Sequence, residues 1–530
     1  MSALTPLFAL AGPLPKAGAV VAVLLAAGAL VAREPRQRAF AMAGALLLAP
    51  VLLLADIWDS PQLAVVRDHQ LPSVVGGVVA LGVVCALALL MSRHALVLPL
   101  LVLAALPFRV PIEVGGTTSN LLVPLYLVIA SGALAAIVGG LREGPAAPAA
   151  DSDTAPWSPG WLERLLALSV ALYGIQATYS ADFDKALQQI AFFIVPFALL
   201  FVLLAQIEWT PRLLRLCLGL LVGLALVFSA IGYVEYATKH IFLNPKLLAS
   251  NDLHTYFRTN SVFFDPNIYG RFLVVAMLAV AATMLQTARA KVVWIGTAVL
   301  AVLWGGLVLT LSQSSLGALL VGLATLAVLR WGAKRVLLPA AVVVAVAAAA
   351  VLATPSTFGV NLHNLDSSSS GRSQLVSGGG NLFAARPIEG YGSGAFVVEY
   401  RRHEGRHLPS DAATASHTIP VTVAAEQGMI GLIAYLALLA AALARLLGRA
   451  AGLSVARSAV AAAFLALIFH TLVYAAFLED PLTWALLGIG TALAAAAAPR
   501  PASVGALAPE RPSTAAERSA SRRAGQVGTA

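Results

Sequence analysis

Apolar residues along this chain gather into long runs separated by short polar stretches. The runs cover roughly residues 17–32, 39–56, 73–91, 95–107, 120–139, 160–178, 187–205 and 213–233, then 268–287, 292–310, 313–329, 336–353, 428–447, 457–477 and 482–497. These fifteen candidate spans compare with the ~20 residues that a helix rising about 1.5 Å per residue needs to cross a hydrocarbon core. The run at 95–107, which contains Pro99, is the shortest. Hydrocarbon offers the backbone no hydrogen-bond partner, so a spanning segment must be a helix or part of a closed barrel, and these runs are too long for barrel strands. The pattern predicts an all-α fold, a polytopic integral membrane helical bundle.

Basic residues mark alternate connections between the runs. They are Arg33, Arg36 and Arg38, then Arg93, Arg212 and Arg215, Arg289 and Lys291, Arg330, Lys334 and Arg335, and finally Arg445, Arg449 and Arg457. The positive-inside rule assigns these connections to the cytoplasm, which leaves Tyr179–Lys185, Glu235–Pro266 and Thr354–Gln427 outside. The expected organisation is N-terminal transmembrane helices over 1–140, a cytoplasmic linker over 141–159 and transmembrane helices over 160–353. One long extracytoplasmic loop over 354–427, C-terminal transmembrane helices over 428–497 and a disordered cytoplasmic tail over 498–530 complete it. The linker and tail are expected to be disordered because neither buries enough apolar surface to offset the entropy of ordering. Residues 1–13 lack a basic n-region, so the first apolar helix is expected to serve as the insertion signal.

Composition agrees with this reading. The chain is 59% hydrophobic and 11% charged, against about 25% charged in soluble domains. A net charge of +9 would suit nucleic acid, but the basic residues sit in short clusters that orientation explains, so no nucleic-acid partner is expected. Cys85 and Cys217 both lie in apolar runs, which leaves no disulfide framework and no cysteine zinc site.

Chemistry concentrates in two outer stretches. In the first, Asp265-Pro266 is a helix-start signal, since proline at the first helical position loses no hydrogen bond. Arg258 and Arg271 flank it on the outer side, where the orientation rule would not put them; contact with lipid phosphates or a functional role would account for them. The long loop holds five Arg and no Lys against six Asp and Glu, so it is not a polybasic anchor. His403-Glu404-Gly405-Arg406-His407 fits the zinc motif HExxH, but Gly405 interrupts the helix that must present both histidines and Pro409 follows it. Arginine offers a planar fork that matches phosphate oxygens, and histidine accepts a proton near neutral pH. Arg258, Arg372 and His417 would therefore suit a site that holds a diphosphate and deprotonates a hydroxyl.

Five pieces follow one another in order: Arg258 to Asn267, Leu309-Thr310-Leu311-Ser312, Ser370-Gly371-Arg372, Pro387-Ile388-Glu389-Gly390-Tyr391-Gly392-Ser393-Gly394, and His417 followed by Glu426-Gln427-Gly428-Met429-Ile430-Gly431-Leu432. Together they resemble the O-antigen ligase and O-antigen polymerase family of membrane glycosyltransferases, over residues 258–435. The resemblance implies a C-type glycosyltransferase-like bundle in the plasma membrane. Such a protein moves a glycan from a polyprenyl diphosphate carrier to a hydroxyl of a saccharide or lipid acceptor among the membrane lipids, with no metal or other cofactor. It further implies diphosphate binding by Arg258 and Arg372, general-base catalysis by His417, and an orienting role for Glu426. Two positions depart from the family pattern: Gln313 stands where arginine is usual after Leu-Thr-Leu-Ser, and Thr418 where asparagine usually follows the histidine. The alternatives are a transporter or flippase of lipid-linked saccharides and, through HExxH, a metalloprotease. A transporter would want charge at mid-membrane depth, where His470 stands nearly alone.

Overall fold

The computed structural model describes residues 13–56, 58, 67–114, 117–142, 158–243, 247, 251, 256–353, 372–404, 418–448, 451–474 and 476–497. Among these residues eleven helices are long and apolar enough to cross a membrane. The chain is a polytopic, all-α membrane protein.

Its first helices are α1 (Pro13–Val31), α2 (Pro35–Asp56), α3 (Gln70–Arg93), α4 (Val97–Ala105) and α5 (Val123–Arg142). Between α4 and α5 a small antiparallel hairpin, β1 (Val110–Val114) and β2 (Thr117–Leu121), pairs Val110 with Leu121 and Val114 with Thr117. α4 has nine residues, a rise of about 13 Å, so the run at 95–107 does not form a span of its own. Pro107 lacks the N–H needed to extend the helix, which ends two residues before it.

Next come α6 (Trp161–Ala177) and α7 (Phe183–Gln189), which continues through a π turn at Ile190–Ile194 into α8 (Val195–Ala205). They are followed by α9 (Pro211–Thr238), α10 (Pro266–Leu285), α11 (Ala290–Leu309), α12 (Gln313–Trp331) and α13 (Ala333–Ala353). The stretch expected as one long loop contains two helices, α14 (Arg372–Ala385) and α15 (Phe396–Glu404). α16 (Ile419–Leu446) starts ahead of the expected boundary at 428, and α17 (Val455–Val473) and α18 (Pro481–Ala496) complete the bundle. The linker over 143–157, the tail over 498–530 and the loop segments 354–371 and 405–417 lie outside the described residues.

Burial separates helices that face lipid from helices that face protein. α3 leaves Leu71, Val74, Val78 and Leu81 exposed, a surface that water would penalise and hydrocarbon accepts. α8 is apolar all round and buried all round, with Phe197, Leu199, Phe201 and Val202 fully enclosed, and it forms the centre of the core.

Candidate active site

Asp265 caps α10 as its local sequence predicts, accepting the Asn267 N–H at 2.6 Å, with Pro266 in the first turn. Ser312 caps α12, accepting the Ser315 N–H at 3.2 Å, and its hydroxyl donates to Asn267 Oδ1 at 2.7 Å. Two helix N-termini, each a partial positive charge, are thus tied side by side.

Arg258 is built into this junction. Its Nε donates to Thr310 O at 2.9 Å, and the neighbouring Thr259 N–H donates to Leu309 O at 3.1 Å. The Leu309–Ser312 turn and the Arg258 segment therefore fold against each other. Beneath them the buried carboxylate of Glu235 accepts the N–H groups of Asn260 at 3.1 Å and Ser261 at 2.7 Å, which holds Ser261 at φ 52°. Arg258 forms no ion pair with a described carboxylate.

A second assembly surrounds Glu426. Its carboxyl oxygens accept the Gly394 N–H at 2.9 Å and the Phe396 N–H at 3.1 Å, which caps the first turn of α15. The glycine segment then runs beside α16 through backbone bonds, Gly392 N–H to Glu426 O at 2.8 Å and Met429 N–H to Pro387 O at 2.8 Å. This close approach explains the glycines. Gly428 kinks α16 at φ 63°, ψ −160°, a region open almost only to glycine, and a Cβ there would run into Ile388 O. Gly428→Ala is expected to cost about 1–3 kcal/mol from backbone strain, with the clash added. The fall would appear in the thermal unfolding midpoint in detergent; an unchanged midpoint would mean that this contact does not lock the loop.

α6 braces the same segment: Ser393 Oγ donates to Tyr173 O at 2.9 Å and Gln176 Nε2 to Gln427 O at 3.2 Å. The π turn after α7 follows Gln189, whose Nε2 donates to Glu479 Oε1 at 2.5 Å. Glu426 and Glu479 line one small cavity of about 100 Å³. Burial raises the pKa of the Glu479 carboxyl, opposed by Lys185 and the Gln189 hydrogen bond.

Some of these groups were not apparent as a site from sequence. Arg271 does not reach lipid: it is 4% exposed and ion-paired with Asp480. Tyr474 closes the link to α10, donating to Asp265 Oδ2 at 3.0 Å. His470 is fully buried, with Nε2 at 3.2 Å from Ser314 Oγ and 3.4 Å from Ser315 Oγ. Both ring nitrogens of His403 are engaged, Nε2 with Tyr391 OH at 3.1 Å and Nδ1 with Glu399 O at 3.0 Å, so the first histidine of HExxH is not presented to a metal.

Of the four residues expected in the site, Arg258 and Glu426 sit in the two assemblies above. Arg372 is described by its backbone, as the first residue of α14, and His417 lies outside the described residues. Its neighbour Thr418 donates from Oγ1 to Leu472 O at 3.0 Å, which ties the start of α16 to the end of α17. No curated protein matches the chain. Residues 298–436 match the family model described as O-Antigen ligase; this stretch includes Arg372, His417 and Glu426, and Arg258 precedes it. The chain is a multi-pass membrane protein in which residues 298–436 are similar to O-antigen ligases.

Proposed function

We propose that this protein transfers a glycan from a polyprenyl diphosphate carrier to an acceptor hydroxyl at the outer face of the plasma membrane, as a ligase or a polymerase. The acceptor oxygen bonds to the anomeric carbon while the bond from that carbon to the diphosphate oxygen breaks. The electron pair leaves with the carrier diphosphate, and the hydroxyl proton passes to His417. Arg258 and Arg372 hold the diphosphate and stabilise the charge that develops on it. Glu426 acts as a positioning residue, fixing the glycine segment and the start of α15.

The observation that carries this reading is the Arg258 guanidinium, fixed through Nε to Thr310 O in the turn between α11 and α12, where Ser312 ties the N-terminus of α12 to that of α10. Both helix ends favour an anion, and a guanidinium fork suits phosphate oxygens. Purified protein reconstituted with a polyprenyl diphosphate glycan and candidate acceptors tests it. Free carrier diphosphate released together with a glycosylated acceptor is the expected result, whereas movement of the intact lipid between leaflets would overturn it in favour of transport.

Arg258→Lys keeps the charge and loses the fork. Transfer is expected to fall roughly 10- to 100-fold, the worth of one charge-assisted hydrogen bond. Turnover at the wild-type rate would remove Arg258 from the diphosphate site. Chelator is expected to leave transfer unchanged, since His403 has both nitrogens occupied; stoichiometric zinc together with inactivity of Glu404→Gln would restore the protease reading.

A further inference from the structure

A surface cavity of about 330 Å³ opens where Tyr179, at the end of α6, meets the segment that follows α14. Ala181, Arg386, Tyr391, Glu399, Arg402 and His403 complete its lining. We propose that this cavity binds an acidic sugar residue of the glycan substrate, a sugar carrying a carboxylate, with Arg386 and Arg402 as its anion contacts. The proposal rests on the transferase reading above and adds the chemical class of saccharide.

The cavity has a buried wall, Tyr391 and Glu399, behind the exposed Arg386 and Arg402. Glu399 is 2% exposed. Its carboxylate holds Arg402 Nη1 at 2.6 Å, and its carbonyl holds His403 Nδ1 at 3.0 Å. The Arg386 guanidinium lies 4.6 Å from the centre of the Tyr391 ring, which fixes its plane. One carboxylate faces two guanidinium groups, and Arg386 makes no ion pair with a described residue, so the lining keeps a positive excess. Tyr179, 42% exposed, adds a ring face that meets a sugar's apolar face. The volume lies near the lower end of the range for small-ligand sites, about 300–1,000 Å³, and admits a single sugar ring.

The cavity also shares an element with the Glu426 assembly. The Tyr391 N–H donates to Ala425 O at 3.2 Å, and Tyr179 OH donates to Glu389 O at 2.7 Å. A sugar bound here would load the glycine segment that Glu426 fixes.

Calorimetric titration of the full chain in lipid nanodiscs with oligogalacturonate and with its methyl ester, which has the same rings without the charge, tests the proposal. The acid is expected to bind about tenfold or more tightly than the ester, the worth of a charge-assisted contact. Arg386→Gln and Arg402→Gln are expected to abolish that preference, and Arg386→Gln, an exposed change outside any ion pair among the described residues, to do its part without moving the unfolding midpoint. Arg258→Lys is expected to keep it. Equal affinity for acid and ester would overturn the proposal, as would a preference that survives in the Arg386→Gln, Arg402→Gln double variant. Displacement of the acid by inorganic phosphate at matched concentration would overturn the sugar assignment. Acid binding retained in a protein that shows no glycan transfer would uphold this site while removing the transferase reading.

Discussion

His417→Ala is expected to lower glycan transfer by about 10²- to 10⁴-fold, the usual contribution of a positioned general base, while carrier binding persists. The two effects separate because phosphate binding is assigned to arginines and proton removal to the imidazole. Thr418, the next residue in the chain, is bonded to Leu472 O. Two residues beyond Leu472, Tyr474 reaches Asp265, the cap of α10. From α10 the hydrogen-bonded path continues through Asn267 and Ser312 toward the turn that holds Arg258. The start of α16 and the Arg258 junction therefore belong to one connected polar layer.

A pH dependence follows from the same assignment. A general base must be neutral to accept a proton, and an unperturbed imidazole has a pKa of about 6.5. Transfer should decline as pH falls through the imidazole pKa. Steady-state transfer and carrier binding, measured on wild type and His417→Ala across pH, decide the matter. Wild-type transfer in the variant would sink the base assignment, and loss of carrier binding with transfer retained at high donor would make His417 a phosphate ligand.

What the sequence disclosed follows from which interactions are local. Spans were legible because hydrocarbon selects continuous apolar runs, and the start of α10 was legible because Asp265-Pro266 carries its own cap and its own φ. Length misled at 95–107, where an apolar run supplies a nine-residue helix. α14 and α15 went unread because they are short and carry polar residues, Arg401 and Arg402 among them, so no membrane signal marks them. The glycines of Gly390–Gly394 and Gly428 were visible as turn signals. Their mutual backbone contact joins segments far apart in the chain and leaves no local trace.

The partner of Arg271 was illegible for the same reason, since Asp480 stands 209 residues away. Asp480→Ala is expected to destabilise the protein by about 3–5 kcal/mol, the cost of leaving a buried charge without its partner. Arg271 is 4% exposed and Asp480 7% exposed, so water cannot replace the lost carboxylate. Arg109 also feels this carboxylate: burial lowers its pKa and Asp480 opposes that shift. The substitution also removes a helix cap, because Asp480 Oδ1 accepts the Leu482 N–H at 3.0 Å at the start of α18. Asp480→Asn keeps an acceptor for that N–H and should recover part of the loss. Replacing both partners, Arg271→Met with Asp480→Leu, should recover the share due to the unpaired Arg271, though neither the cap nor the Arg109 share. Thermal unfolding midpoints in detergent for the three variants test this ordering. An Asp480→Ala protein that unfolds at the wild-type temperature would mean that the pair does not hold the ends of α10 and α18 together, and the structural role would pass to the apolar packing around them.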